Sequence, residues 1–172
     1  MDDSAPAGDD RFEDLLAGNV EFQRQFTDGG FDGIARAGVL MLTCMDSRIL
    51  PLEMVGLRIG DAKILRTPGA HLTDDALIGA IVGVHLLQVR RILLVPHTRC
   101  AMASGTDADI AASVRASTGA DLSSLKIGAT PDQEGRLAAD VALLRDHPLI
   151  TGRAEIGGFL YDVDTGALKQ LL

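Results

Sequence analysis

With 172 residues, 24 acidic and 16 basic side chains, the chain carries a formal net charge of −8. That charge, the lack of a basic cluster and an aromatic content of 3% argue against a nucleic-acid or anionic-membrane surface and leave small molecules or protein partners. Hydrophobic residues form 47% of the chain with no run near the length of a bilayer span. A single soluble domain is expected, long enough to bury about 68–70% of the surface its unfolded chain would expose.

Residues 1–10 are acidic and lack the basic-then-apolar layout of a signal peptide, so a reducing, cytoplasmic location is the default. They read as a disordered or arm-like tail, with residues 11–172 as one domain. Residues 11–26 place Phe12, Leu15, Leu16, Asn19, Phe22 and Phe26 at near-helical spacing, which predicts an amphipathic helix. Four of the five phenylalanines fall between Phe12 and Phe31, which implies core packing or a subunit contact.

After a Gly-rich connection comes Val39-Leu-Met-Leu-Thr-Cys-Met-Asp-Ser-Arg48. Its apolar start does not alternate, as suits a strand covered on both faces of a parallel sheet. Such sheets place their sites beyond the carboxyl ends of the strands, and here the end carries Cys44, Asp46 and Arg48. Residues 51–55 read as a short helix and 62–66 as a second strand, followed by the loop Thr67-Pro-Gly-Ala70. Thr73, with Asp74 and Asp75 behind it, caps a buried helix running to about Leu87. A third strand over residues 91–96 delivers His97 and Cys100. Two helices follow, over 107–117 and 132–146, and then a hairpin of strands 155–162 and 167–172. The pattern predicts an α/β fold: a mostly parallel sheet of four to five strands flanked by helices, with an antiparallel edge strand at the C-terminus.

Both cysteines follow buried strands. In a reducing setting they read as working thiolates or small buried hydrophobes, not as a disulfide. Two thiolates and an imidazole are the donors that hold Zn²⁺ in a tetrahedron, with three protein ligands leaving a position for water whose pKa falls to about 7. Cys44, His97 and Cys100 are therefore the candidate metal ligands, one zinc per chain. Asp46 and Arg48 read as a pair in which the guanidinium holds the carboxylate and the carboxylate orients the attacking oxygen. Alternatively Asp46 is a fourth ligand that closes the site, or the pair is structural. Among the remaining histidines, His71 is a candidate proton relay, His85 reads as a satisfied core residue and His147 as a helix-end residue. Arg99 reads as solvent-exposed.

Cys44-Met-Asp-Ser-Arg48, Gly60-Asp-Ala-Lys-Ile-Leu-Arg66 and His97-Thr-Arg-Cys100 resemble, in order and spacing, the β-class carbonic anhydrases of the short bacterial type. The resemblance implies hydration of CO₂ to bicarbonate, zinc on Cys44, His97 and Cys100, an Asp46–Arg48 dyad, and a homodimer or dimer of dimers gripped by the early helices. Departures fall at Thr67-Pro-Gly-Ala70, where the family has Asn-Ala-Gly-Gly, and at Ala101, where a glycine commonly stands. They keep open hydrolysis of carbonyl sulfide or carbon disulfide on the same fold. A non-catalytic zinc domain is a further alternative, against which Asp46 and Arg48 weigh.

Overall fold

A computed structural model describes residues 11–172 of the chain. The tail read at residues 1–10 lies outside the described residues. Among the described residues, 11–32 form one compact unit and 33–172 another. In the first, α1 (Glu13–Gln25) opens with Glu13 and Asp14 and closes with Arg24, charges that suit the helix dipole. No residue of α1 is buried: Leu15, Leu16 and Phe22 are exposed, as are the flanking Phe12 and Phe26.

The second unit is built on a five-stranded sheet in the order β2-β1-β3-β4-β5. Its strands are β1 (Val39–Cys44), β2 (Ala62–Thr67), β3 (Arg91–Val95), β4 (Glu155–Tyr161) and β5 (Leu168–Gln170). All neighbours run parallel except β4 with β5, which pair antiparallel as Phe159↔Gln170 to Tyr161↔Leu168. Every residue of β1 is buried, as a central strand covered on both faces requires. The helices are α2 (Asp74–Leu86), α3 (Asp107–Thr118) and α4 (Gln133–Asp146).

Leu40, Leu42, Ile92 and Leu94 face one core together with Ala76, Ala80 and Val84 of α2 and Leu137, Val141 and Leu144 of α4. Met41 and Val95, one residue out of phase, face the second core with Ile49 and Tyr161, as the two-residue period of a strand dictates. Helix α2 lies close to the sheet because it carries glycine at the contact. A Cβ on Gly83 would meet Leu40 Cδ1 at 3.0 Å, and one on Gly79 would meet Leu65 Cδ1 at 2.9 Å.

Three sequence expectations shift. Residues 51–55 shorten to a single 3₁₀ turn, Glu53–Val55. The loop after β2 is itself a 3₁₀ turn, Pro68–Ala70, with Gly69 and Ala70 at φ 70° and 60°. His85 is exposed on α2, with Nε2 2.7 Å from the Leu149 carbonyl oxygen, and is not a core histidine.

Candidate metal centre

The ends of the two central strands bring the predicted ligands together. β1 and β3 are in register from Val39↔Arg91 to Thr43↔Val95, so Cys44 and the segment after Val95 leave the same edge. Thr43 ties the strands further, its hydroxyl donating to the Val95 carbonyl at 2.8 Å. His97 and Cys100 then sit on one turn, and the donor atoms of Cys44, His97 and Cys100 lie within 4.8 Å of one another. The two sulfurs are 4.0 Å apart, and all three residues are buried. Both cysteines are free.

His97 Nε2 is, among the described residues, the one buried side-chain nitrogen or oxygen without a hydrogen-bond partner. An orphaned buried polar atom facing two thiols is what a bound cation would satisfy. The other ring nitrogen, Nδ1, stands 2.9 Å from the Thr98 carbonyl oxygen; as Nδ1–H it donates there, leaving the Nε2 lone pair free toward the sulfurs. Burial pushes the His97 pKa below its ordinary value, so the neutral, ligating form prevails near neutrality. The same desolvation pushes the Cys100 thiol up, opposed by the backbone N–H groups of Met102 and Ala103. A divalent cation would reverse that, since it deprotonates its thiols. The residues present therefore fit Zn²⁺.

Asp46 stands at the rim. Arg48 holds it three ways: its backbone N–H and Nε donate to Oδ1, each at 2.9 Å, and Nη2 donates to Oδ2 at 2.7 Å. These bonds keep the Asp46 carboxyl well below the usual carboxylate range, the side-chain bond contributing most. Oδ2 also lies 3.7 Å from His97 Nε2, so the carboxylate borders the donor cluster.

A family model described as carbonic anhydrase matches residues 39–168. The chain belongs to the β-class carbonic anhydrase family. "Beta-carbonic anhydrase 1" of Mycobacterium tuberculosis is 28% identical over 159 residues, covering 92% of this chain and 96% of the relative. A crystal structure of the carbonic anhydrase of Streptococcus mutans superposes with a TM-score of 0.86 at 28% identity, covering 94% of this chain and 97% of that one. "Carbon disulfide hydrolase" of Acidithiobacillus thiooxidans is also 28% identical, over 146 residues and 73% of each chain.

Within this β-class frame, several supports were not read from the sequence. Gly69 donates its N–H to Cys44 Sγ at 3.3 Å, from a backbone conformation where a Cβ would stand 2.7 Å from His71 Nε2. Gln133 of α4 donates to the His97 carbonyl at 3.1 Å. Thr98 donates its N–H to Tyr161 O at 2.9 Å and accepts from Val163 N at 3.2 Å, fastening the ligand turn to the end of β4. Arg66 donates to three carbonyls of the Cys44 turn. A cation at the C-terminal end of the strand beside Cys44 was the available signal for it. Arg99 is exposed as expected, at φ 53°, and pairs with Asp164. His71 is buried, and that burial, with Arg136 nearby, lowers its pKa.

Proposed function

We propose that this β-class carbonic anhydrase family member hydrates CO₂ reversibly to bicarbonate and a proton, using one Zn²⁺ per chain held by Cys44, His97 and Cys100. The observation that carries the reading is the unpartnered Nε2 of buried His97 beside two free thiols, with an arginine-clamped carboxylate 3.7 Å away. Zinc bound there would supply a Lewis acid that makes water a nucleophile near neutral pH. The protein's own part is positional. Ionised Asp46 can only accept hydrogen bonds, so it fixes the direction of a hydroxyl hydrogen beside it and hence of the lone pair that meets CO₂. Arg48, with two side-chain donors on that carboxylate, keeps it out of the ligand set.

The second reading, hydrolysis of carbon disulfide or carbonyl sulfide, is favoured by one observation: carbon disulfide hydrolases match at the same 28% identity as the mycobacterial relative. Comparing turnover of CO₂, carbonyl sulfide and carbon disulfide by the purified zinc protein separates the two. Hydration of CO₂ well above the other substrates is expected, and the reverse order would replace the first reading by the second.

The reading extends to assembly and setting. Exposed Phe12, Leu15, Leu16, Phe22 and Phe26 support α1 as the surface of a homodimer, because side chains of that size seldom stay together in water. Residues 11–172 would then act as one functional domain per subunit. The two free thiols support a reducing, cytoplasmic setting, and among the described residues no helix is long and apolar enough to cross a membrane.

A further inference from the structure

Arg66 is the one exposed residue of β2, where the register sets Thr43 opposite Arg66 and Cys44 opposite Thr67. Among the described residues, its guanidinium forms no ion pair with a carboxylate. Nε donates to the Cys44 carbonyl at 3.0 Å, and Nη2 donates to the carbonyls of Asp46 at 2.8 Å and Ile49 at 3.0 Å. All three acceptors belong to the turn that carries Cys44, Asp46 and Arg48 and ends on fully buried Ile49. One planar fork thus spans the whole turn, from the metal-facing thiol to its anchor in the core.

We propose that Arg66 is a positioning residue for this centre, holding the 44–49 turn so that the Cys44 thiol and the Asp46 carboxylate reach the donor cluster together. The proposal rests on the zinc reading above. Two distances define that convergence, Cys44 Sγ to Cys100 Sγ at 4.0 Å and Asp46 Oδ2 to His97 Nε2 at 3.7 Å. Each has one end on the 44–49 turn and the other on the 97–100 turn. The second turn is fastened by Thr98 and Gln133. The first has Arg66, together with Gly69 N–H on the sulfur itself. A lysine cannot replace the fork, because an ammonium is a single point of charge and cannot reach three separated carbonyls in fixed directions.

The test uses the full-length zinc-loaded protein and the variants Arg66→Lys and Arg66→Ala, with three readouts. They are zinc release to a competing chelator, the visible spectrum of the cobalt-substituted protein, and CO₂ hydration with and without millimolar guanidinium. Partners that orient metal ligands typically change affinity or activity by about 10- to 100-fold, so release should quicken by that order in both variants. The cobalt spectrum should shift, kcat should fall more than KM rises, and added guanidinium should restore part of the Arg66→Ala activity. A purely structural role would lower the melting temperature and leave the spectrum in place. Unchanged spectrum and release rate in folded Arg66→Lys would overturn the proposal, and that variant serves if Arg66→Ala does not fold. Failure of the function reading is seen separately, in the unsubstituted protein: turnover of carbon disulfide alone leaves the release and cobalt arms decisive, whereas no zinc uptake overturns both.

Discussion

Replacing Arg48 by alanine tests the Asp46–Arg48 pair. The side chain supplies two of the three bonds to Asp46, at 2.9 and 2.7 Å, while the backbone N–H on Oδ1 survives the substitution. The oxygen that loses its donor is Oδ2, the one 3.7 Å from His97 Nε2 and so the one already beside the donor cluster. Freed, it competes for the position that water needs. Loss of such orienting partners costs about 10- to 100-fold, which sets the expected fall in CO₂ hydration. Protonation does not enter: without Arg48 the Asp46 pKa rises toward its ordinary 3.8, and the carboxylate stays ionised at neutral pH. The deficit at pH 7 should therefore come with full zinc content. Arg48→Lys, whose donors sit on one nitrogen where the fork uses two, should fall between. Stopped-flow hydration paired with metal analysis reads both quantities. Wild-type activity in Arg48→Ala with zinc retained would make the pair structural and refute the reasoning.

Four further outcomes follow from the same geometry. Cys100→Ser puts a hard hydroxyl where a thiolate is needed and should lose zinc on dialysis; full occupancy by elemental analysis would remove Cys100 from the ligand set. In the metal-free protein, His71 and His97 have folded pKa values depressed below 6.5 by burial, so their contribution to stability is full above that value and is lost as pH falls toward the folded values. Its melting temperature should decline on acidification from about pH 7 to 5.5, and a flat profile would contradict the burial argument. Ala70 sits at φ 60° and is buried, so Ala70→Gly should be neutral to within about 1 kcal/mol, relief of left-handed strain offsetting a lost methyl and added chain entropy. Ala70→Val, β-branched in that conformation, should cost roughly 2–4 kcal/mol in urea melts, and equal stability of the two variants would show the loop to be unstrained. Finally, Leu16→Glu with Phe22→Glu should turn a sedimenting dimer into a monomer, and an unchanged dimer would take α1 out of the interface.

The parts of the fold that rest on pattern were legible in the sequence. The unbroken apolar run of β1, the Thr73 cap of α2, and the C-terminal hairpin each carry a local physical signal, and each appears where expected. The donor cluster was legible because two strand ends in one sheet place Cys44 against His97 and Cys100. What escaped were contacts between a side chain and a distant backbone. Arg66 on the Cys44 turn and Gln133 on the His97 carbonyl depend on register and helix placement, which residue types do not encode. The misreading of His85 has a similar cause. Helix α2 is apolar nearly all round, with Ile78, Val82 and Leu86 exposed, so its composition does not say which face is covered.

The most direct test of the proposed activity is zinc content and CO₂ hydration measured across pH on one purified sample. About one zinc per chain is expected, with hydration rising through neutral pH as the nucleophile deprotonates. A fully zinc-loaded protein that fails to hydrate CO₂ at any pH, while remaining folded, would contradict the assignment.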